Sequence, residues 1–117
     1  MPIQTQRIHL IEKDCRIEKV SDQVWESGFW SIPEVKAKQL LGGSILLHKK
    51  KSEPSFFGGL ILNYRIQENG EFKGRVIFTF EYQADHRGFV AEREGWGKEK
   101  KIVMKEWVMK LHKKSVE

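Results

Sequence analysis

Two apolar runs, SILLH and GGLILNY, face each other across a polar loop in the segment LLGGSILLHKKKSEPSFFGGLILNY, Leu40 to Tyr64. Each run is bounded by glycine and is too short for a stable helix, which needs roughly ten residues or more, so each reads as a strand. The fold is therefore built on paired strands. The loop between them carries three lysines, a proline, a serine and two adjacent phenylalanines. Its aromatic surface and positive charge together raise the question of what it faces.

The remaining chain extends the pattern. Arg7 to Glu12 alternates weakly and predicts a first strand. SDQVWESGFW is aromatic-rich and irregular and reads as a turn or loop. In SIPEVKAKQLLGG, Ser31 and Glu34 have capping-box spacing, Pro33 suits a first helical turn and Gly42 suits the stop. A short helix follows, with Val35, Ala37, Leu40 and Leu41 as its buried face. Ser44 to Lys49 is a second strand, with Ile45 and Leu47 on one face and Leu46 and His48 on the other. Gly58 to Gln67 is a third, placing Leu60, Leu62, Tyr64 and Ile66 on one face. Asn69-Gly70 supplies turn chemistry, and Arg75 to Gln83 is a fourth strand burying Val76, Phe78, Phe80 and Tyr82. A long loop then leads to IVMKEWVMKLHKK, which fits either a strand over Ile102 to Lys105 or a helix, and ends in a basic tail from about residue 109. The expected class is α+β: a small, mostly antiparallel, barrel-like sheet with one short capping helix.

A chain of 117 residues is expected to form a single domain with one core. Cys15 is its one cysteine, which excludes an internal disulfide. MPIQTQRIHL has no apolar core for a signal peptide, and no apolar run approaches the ~20 residues of a membrane helix. A soluble, cytoplasmic protein without a membrane partner is expected. Lys and Arg outnumber Asp and Glu by 21 to 16, a net charge of +5 that is compatible with a polyanion or with a solvated surface. HKKK and KLHKK hold much of the excess.

A helix ending in Gly-Gly, then a strand, a lysine-rich loop and a small-residue pair opening the next strand resemble the PUA-like superfamily, in particular its EVE, ASCH and YTH branches. The resemblance covers residues 31–83. Gly43 stands at the glycine before the second strand, and Gly58-Gly59 opens the third. Gly43-Ser44 replaces the usual Gly-Asp, and the Gly-x-Lys-x-x-Glu-x-Arg motif of ASCH domains is absent, so no ASCH catalytic set is carried over. The second half also resembles small bacterial and phage proteins of no assigned activity. The superfamily resemblance implies a pseudobarrel that binds RNA, or DNA with a modified base, in an aromatic and basic cleft. It also implies that Trp25 and Trp30, just before the helix, stand at one wall of that pocket.

The residues themselves nominate ligand contacts. Lys49, Lys50 and Lys51 meet phosphates; His48 and Ser55 lie beside them; Phe56 and Trp96 offer rings to a base, and Trp30 is a further candidate. Arg87, in the DHRG turn, has the chemistry of a phosphate clamp. Each has a plainer reading, as core ring or solvated charge. Ser55, His48 and Asp85 can be named as a hydrolytic triad, but no G-x-S-x-G elbow surrounds Ser55. The four histidines lack zinc-ligand spacing, and no G-x-x-x-x-G-K-[ST] loop is present. The expected function is a nucleic-acid-binding module without catalysis or cofactor. A small-molecule or nucleotide binder using the same cleft, and a protein-interaction module, are the alternatives.

Overall fold

Residues 3–13 and 16–104 are described by the computed structural model. They form β1 (Arg7–Ile11), β2 (Ile17–Lys19), β3 (Val24–Trp30), α1 (Glu34–Gln39), β4 (Ser44–His48), β5 (Phe57–Ile66), β6 (Val76–Tyr82) and β7 (Lys100–Val103), with a single 3-10 turn at Ala84–His86. Cys15 and the basic tail lie outside the described residues. The strands make one mixed sheet in the order β2-β3-β6-β5-β4-β1-β7. Five of its neighbouring pairs are antiparallel and one, β1 with β4, is parallel. The parallel pair follows from the long connection through β2, β3 and α1, which returns the chain beside β1 in its own direction.

The domain is thus β-rich, and its sheet is open: among the described strands none joins β2 to β7. It is nonetheless rolled. Ile8 and Leu10 of β1 share one buried cluster with Trp30 of β3, although those strands stand four places apart in the sheet. In a flat sheet that separation is ~19 Å, at about 4.8 Å per strand. The same cluster takes Ile45 and Leu47 from β4, Ile61 from β5, and Val76, Phe78 and Phe80 from β6.

Several sequence expectations need correction. The segment read as a loop before the helix is β3, paired along β6, with a register shift between Ser27 and Trp30. That irregularity, beside Gly28, hides the alternation that would have marked a strand. The helix has only six residues, and Pro33 rather than Ser31 is its N-cap, with no side-chain capping bond. Glu34 instead accepts the Tyr64 hydroxyl at 2.7 Å. Ala37 and Leu40 are fully buried, whereas Val35 and Leu41 are exposed. In β5 the pairing slips between Ile61, opposite Phe80, and Asn63, opposite Thr79. The extra residue, Leu62, bulges outward and is 51 % exposed, while Ile61 is buried. A bulge flips the face on which later residues lie, so one uninterrupted alternation could not hold across it.

β4 is buried on both faces. Its second face, with Ser44, Leu46 and His48, lies beneath the connection from β6 to β7, which contributes His86, Phe89 and Trp96. The glycine pair opening β5 serves this tight layering. A Cβ at Gly58 would meet the Ile45 carbonyl and lie 3.2 Å from the His86 Cβ, and one at Gly59 would strike the backbone of Glu81.

Candidate nucleic-acid interface

Where the rolled sheet fails to close, a cleft of about 290 Å³ remains. One wall is the end of β1 and its exit, Ile11 to Lys13, with Glu99 from just before β7. The other is Gly28, Phe29 and Trp30 of β3, with Phe72 and Arg75 from the β5–β6 hairpin, and Arg16 between. Arg16, Gly28 and Phe29 also line a second depression of about 420 Å³, over the outer face of β2, β3, β5 and β6. Those three residues border both hollows, and the larger falls within the ~300–1,000 Å³ range of small-ligand sites.

Phe29 and Phe72 stack in this cleft, ring centroids 4.6 Å apart and planes 5° from parallel. Both rings are half-buried. The Arg16 guanidinium carbon is 4.5 Å from the Phe72 centroid and 5.9 Å from that of Phe29, and Arg75 is 6.0 Å from Phe72. The hairpin delivers Phe72 because Gly70 and Gly74, both with φ above 80°, turn the chain tightly around it. Two exposed arginines beside paired rings offer both charge to a phosphate and π surface to a base. Carboxylates balance them. Glu18, Glu26 and Glu71 border the two hollows, and Glu26 holds Arg65 through two bonds of 3.2 Å. Glu12 is buried, and its Oε1 accepts the main-chain N–H of Arg16 at 3.2 Å.

The residues nominated from sequence are dispersed. Trp30 lines the cleft but is 93 % buried, being 7 % exposed in the core, and its Nε1–H donates to Ser27 Oγ at 3.1 Å. Lys49, Lys50 and Lys51 are exposed in the β4–β5 loop. Lys49 Nζ lies over the Phe56 ring at 4.4 Å, and Phe56 packs partly on the core. Ser55 is buried; its hydroxyl donates to the His86 carbonyl at 2.6 Å and accepts the Phe89 N–H at 3.0 Å. Arg87 is exposed in the turn after Ala84–His86. His48 and Trp96 do come together, with ring centroids 5.7 Å apart, beneath the β6–β7 connection. The Trp96 Nε1 there is buried without a hydrogen-bond partner.

Ser55, His48 and Asp85 do not assemble. A different trio does: Ser44 Oγ lies 2.7 Å from His86 Nε2, and His86 Nδ1 lies 2.7 Å from Asp85 Oδ1. The carboxylate draws the proton to Nδ1, so Nε2 accepts from Ser44, whose oxygen accepts the Gln4 N–H at 2.9 Å. The bond to His86 holds the Asp85 carboxyl below its ordinary range. Ser44 and His86 are both 0 % exposed, so this chain of bonds is closed to substrate and works as internal scaffolding. Among the described residues no group of three or more His, Cys, Asp or Glu side chains is placed to hold a metal, and no helix is long and apolar enough to cross a membrane.

No family model, curated protein or solved structure matches the chain.

The sequence missed Arg16, Phe29, Phe72 and Arg75. Arg16, Phe29 and the Phe72–Arg75 pair follow one another at intervals of 13 and 43 residues, which gives no local motif. One signal was present: Phe72 is the lone aromatic of a turn otherwise made of polar residues and glycine, ENGEFKG.

Proposed function

We propose that this chain is a PUA-like pseudobarrel, its opening covered by α1, that binds RNA or modified DNA without catalysing a reaction. The cleft between β1 and β3 is the ligand site. The observation that carries this reading is the stacked Phe29–Phe72 pair, half-buried and flanked by Arg16 and Arg75. The arginines and Lys13 meet phosphates, and an exposed ring edge or face meets a base. Stacking on an aromatic side chain contributes ~1–3 kcal/mol per base. Phe72→Ala should therefore weaken an oligonucleotide by about 5- to 150-fold. With about three phosphates neutralised, log Kd should rise with log salt at a slope of about 2 for a single strand. Fluorescence anisotropy with labelled eight-nucleotide RNA and DNA tests both figures. Binding unchanged in Phe72→Ala and in Arg75→Ala removes the cleft from the account.

The carboxylates bordering the cleft favour a second reading, a nucleotide or other small ligand with one or two charges. Glu18, Glu26 and Glu71 repel an extended phosphate chain more than a single phosphate. A mononucleotide that competes fully with the labelled oligonucleotide, at equal or tighter affinity, selects that reading.

A further inference from the structure

We infer that the lysine loop, residues 49–55, continues the cleft as a track for phosphates, so that the ligand is an extended single strand and not one nucleotide. This inference rests on the nucleic-acid reading of the cleft and gives the path of the strand beyond it. β1 and β4 are parallel, with Ile11 opposite His48, and the Glu12 N–H donates to the His48 carbonyl at 2.8 Å. Both chains therefore leave the sheet at the same end, side by side. That puts Lys13, on the cleft wall, next to the start of the loop at Lys49.

The far end of the loop meets the turn after β6. Ser55 N–H donates to the Phe89 carbonyl at 2.9 Å, the Ser55 carbonyl accepts the Gly88 N–H at 2.7 Å, and the Ser55 hydroxyl donates to the His86 carbonyl at 2.6 Å. Arg87 is thereby fixed at that end. Lys13, Lys49, Lys50, Lys51 and Arg87 are all exposed. Among the described residues of these segments two carboxylates reach the surface with them. Glu53 lies 3.8 Å from Lys50 Nζ, and Asp85 lies 2.7 Å from His86 Nδ1. Cations prevail along this stretch, whereas Glu18, Glu26, Glu71 and Glu99 border the two hollows. A strand can thus set a base against Phe29 and Phe72 and lay its following phosphates along the loop.

The loop is also ordered in advance. Phe56 N–H donates to the Leu47 carbonyl at 2.8 Å, Glu53 N–H to the Lys50 carbonyl at 3.2 Å, and His48 Nδ1 lies 2.9 Å from the Glu53 carbonyl oxygen. Lys49 Nζ is held over the Phe56 ring at 4.4 Å. A segment fixed in this way loses little freedom when phosphates bind.

Fluorescence anisotropy with single strands of eight and sixteen nucleotides tests the track. The two hollows take up the shorter strand, with the salt slope of about 2 given above. The longer strand adds the three lysines and Arg87 at ~0.7 per phosphate, so its slope should be about 5. Replacing Lys49, Lys50 and Lys51 together by alanine should lower the sixteen-nucleotide slope by about 2 and leave eight-nucleotide affinity within about threefold. Lys36 and Lys38, exposed on α1 at the other end of β4, are the control for general loss of charge. Their replacement by alanine should leave the sixteen-nucleotide slope unchanged. Equal slopes for the two lengths in the unmodified protein overturn the track, and so does a drop in the α1 variant as large as that in the loop variant. Phe72→Ala separates the track from the reading beneath it. If Phe72→Ala weakens both strands while the loop variant changes neither slope, the cleft stands and the track falls. If Phe72→Ala weakens neither strand, the cleft falls and the track with it.

Discussion

Gly59→Ala should destabilise the domain severely, for reasons that can be worked atom by atom. Gly59 pairs with Ile45 of β4 on one side and Tyr82 of β6 on the other. An added Cβ would fall within the Glu81 carbonyl, 2.6 Å from its carbon and 3.0 Å from the Tyr82 Cα. All three obstacles are backbone, so no side chain can swing away, and the β5–β6 pairing must part to admit one methyl group. Overpacking typically costs ~1–3 kcal/mol, and a rigid obstacle puts this site at the upper end, about 3. For a domain of this size, 1 kcal/mol moves Tm by about 4 °C, so a loss of about 12 °C is expected. Gly70→Ala is the control, because nothing lies within 4 Å of its Cβ and only its φ of +82° opposes the change. That costs ~1–2 kcal/mol. Thermal unfolding followed by circular dichroism compares them. If Gly59→Ala melts within about 2 °C of the parent protein, the pair is not there for strand packing, and close approach to a ligand becomes the better account of it.

Acid should weaken the fold as a whole. His9 is depressed in the folded state from 6.5 to about 3, so below 6.5 the unfolded chain binds the extra proton. Its stabilising effect is complete above that pH and declines toward pH 3, by at most about 1.4 kcal/mol per pH unit; urea titrations at several pH values check this, and a midpoint constant from about pH 7 to 4 contradicts it. Ile61→Ala should lose ~2–5 kcal/mol, whereas the neighbouring Leu62→Ser should stay within ~0.5 kcal/mol. Equal losses at the two positions, read by the same melts, would place the bulge elsewhere.

Much of the strand framework was legible. Ser44–His48 and Val76–Tyr82 are continuous and bounded by glycine or turn residues, so their length and alternation marked them directly. What escaped depends on irregularity. The shift within β3 and the bulge at Leu62 each break period two, the signal on which strand faces are read. Val35 and Leu41 fit the helix's apolar stripe, but a six-residue helix needs only Ala37 and Leu40 to reach the core. The candidate site was less legible than the fold. Lys49–Lys51 drew notice as a contiguous run, yet charge density along the chain does not say which surface is concave. Phe29, Phe72 and Arg16 meet because β2, β3 and β6 are neighbours in the sheet, an order that joins residues far apart along the chain. Trp30, also nominated from the sequence, lines that cleft from the core side.

The central claim is that nucleic acid binds in the open seam of the sheet. Amide chemical shifts measured while a short single-stranded oligonucleotide is titrated into labelled protein test it most directly. The account predicts that the largest changes fall on Lys13, Arg16, Phe29, Phe72 and Arg75. Changes confined to the β4–β5 lysine loop and Trp96, or no change at low salt, would contradict it.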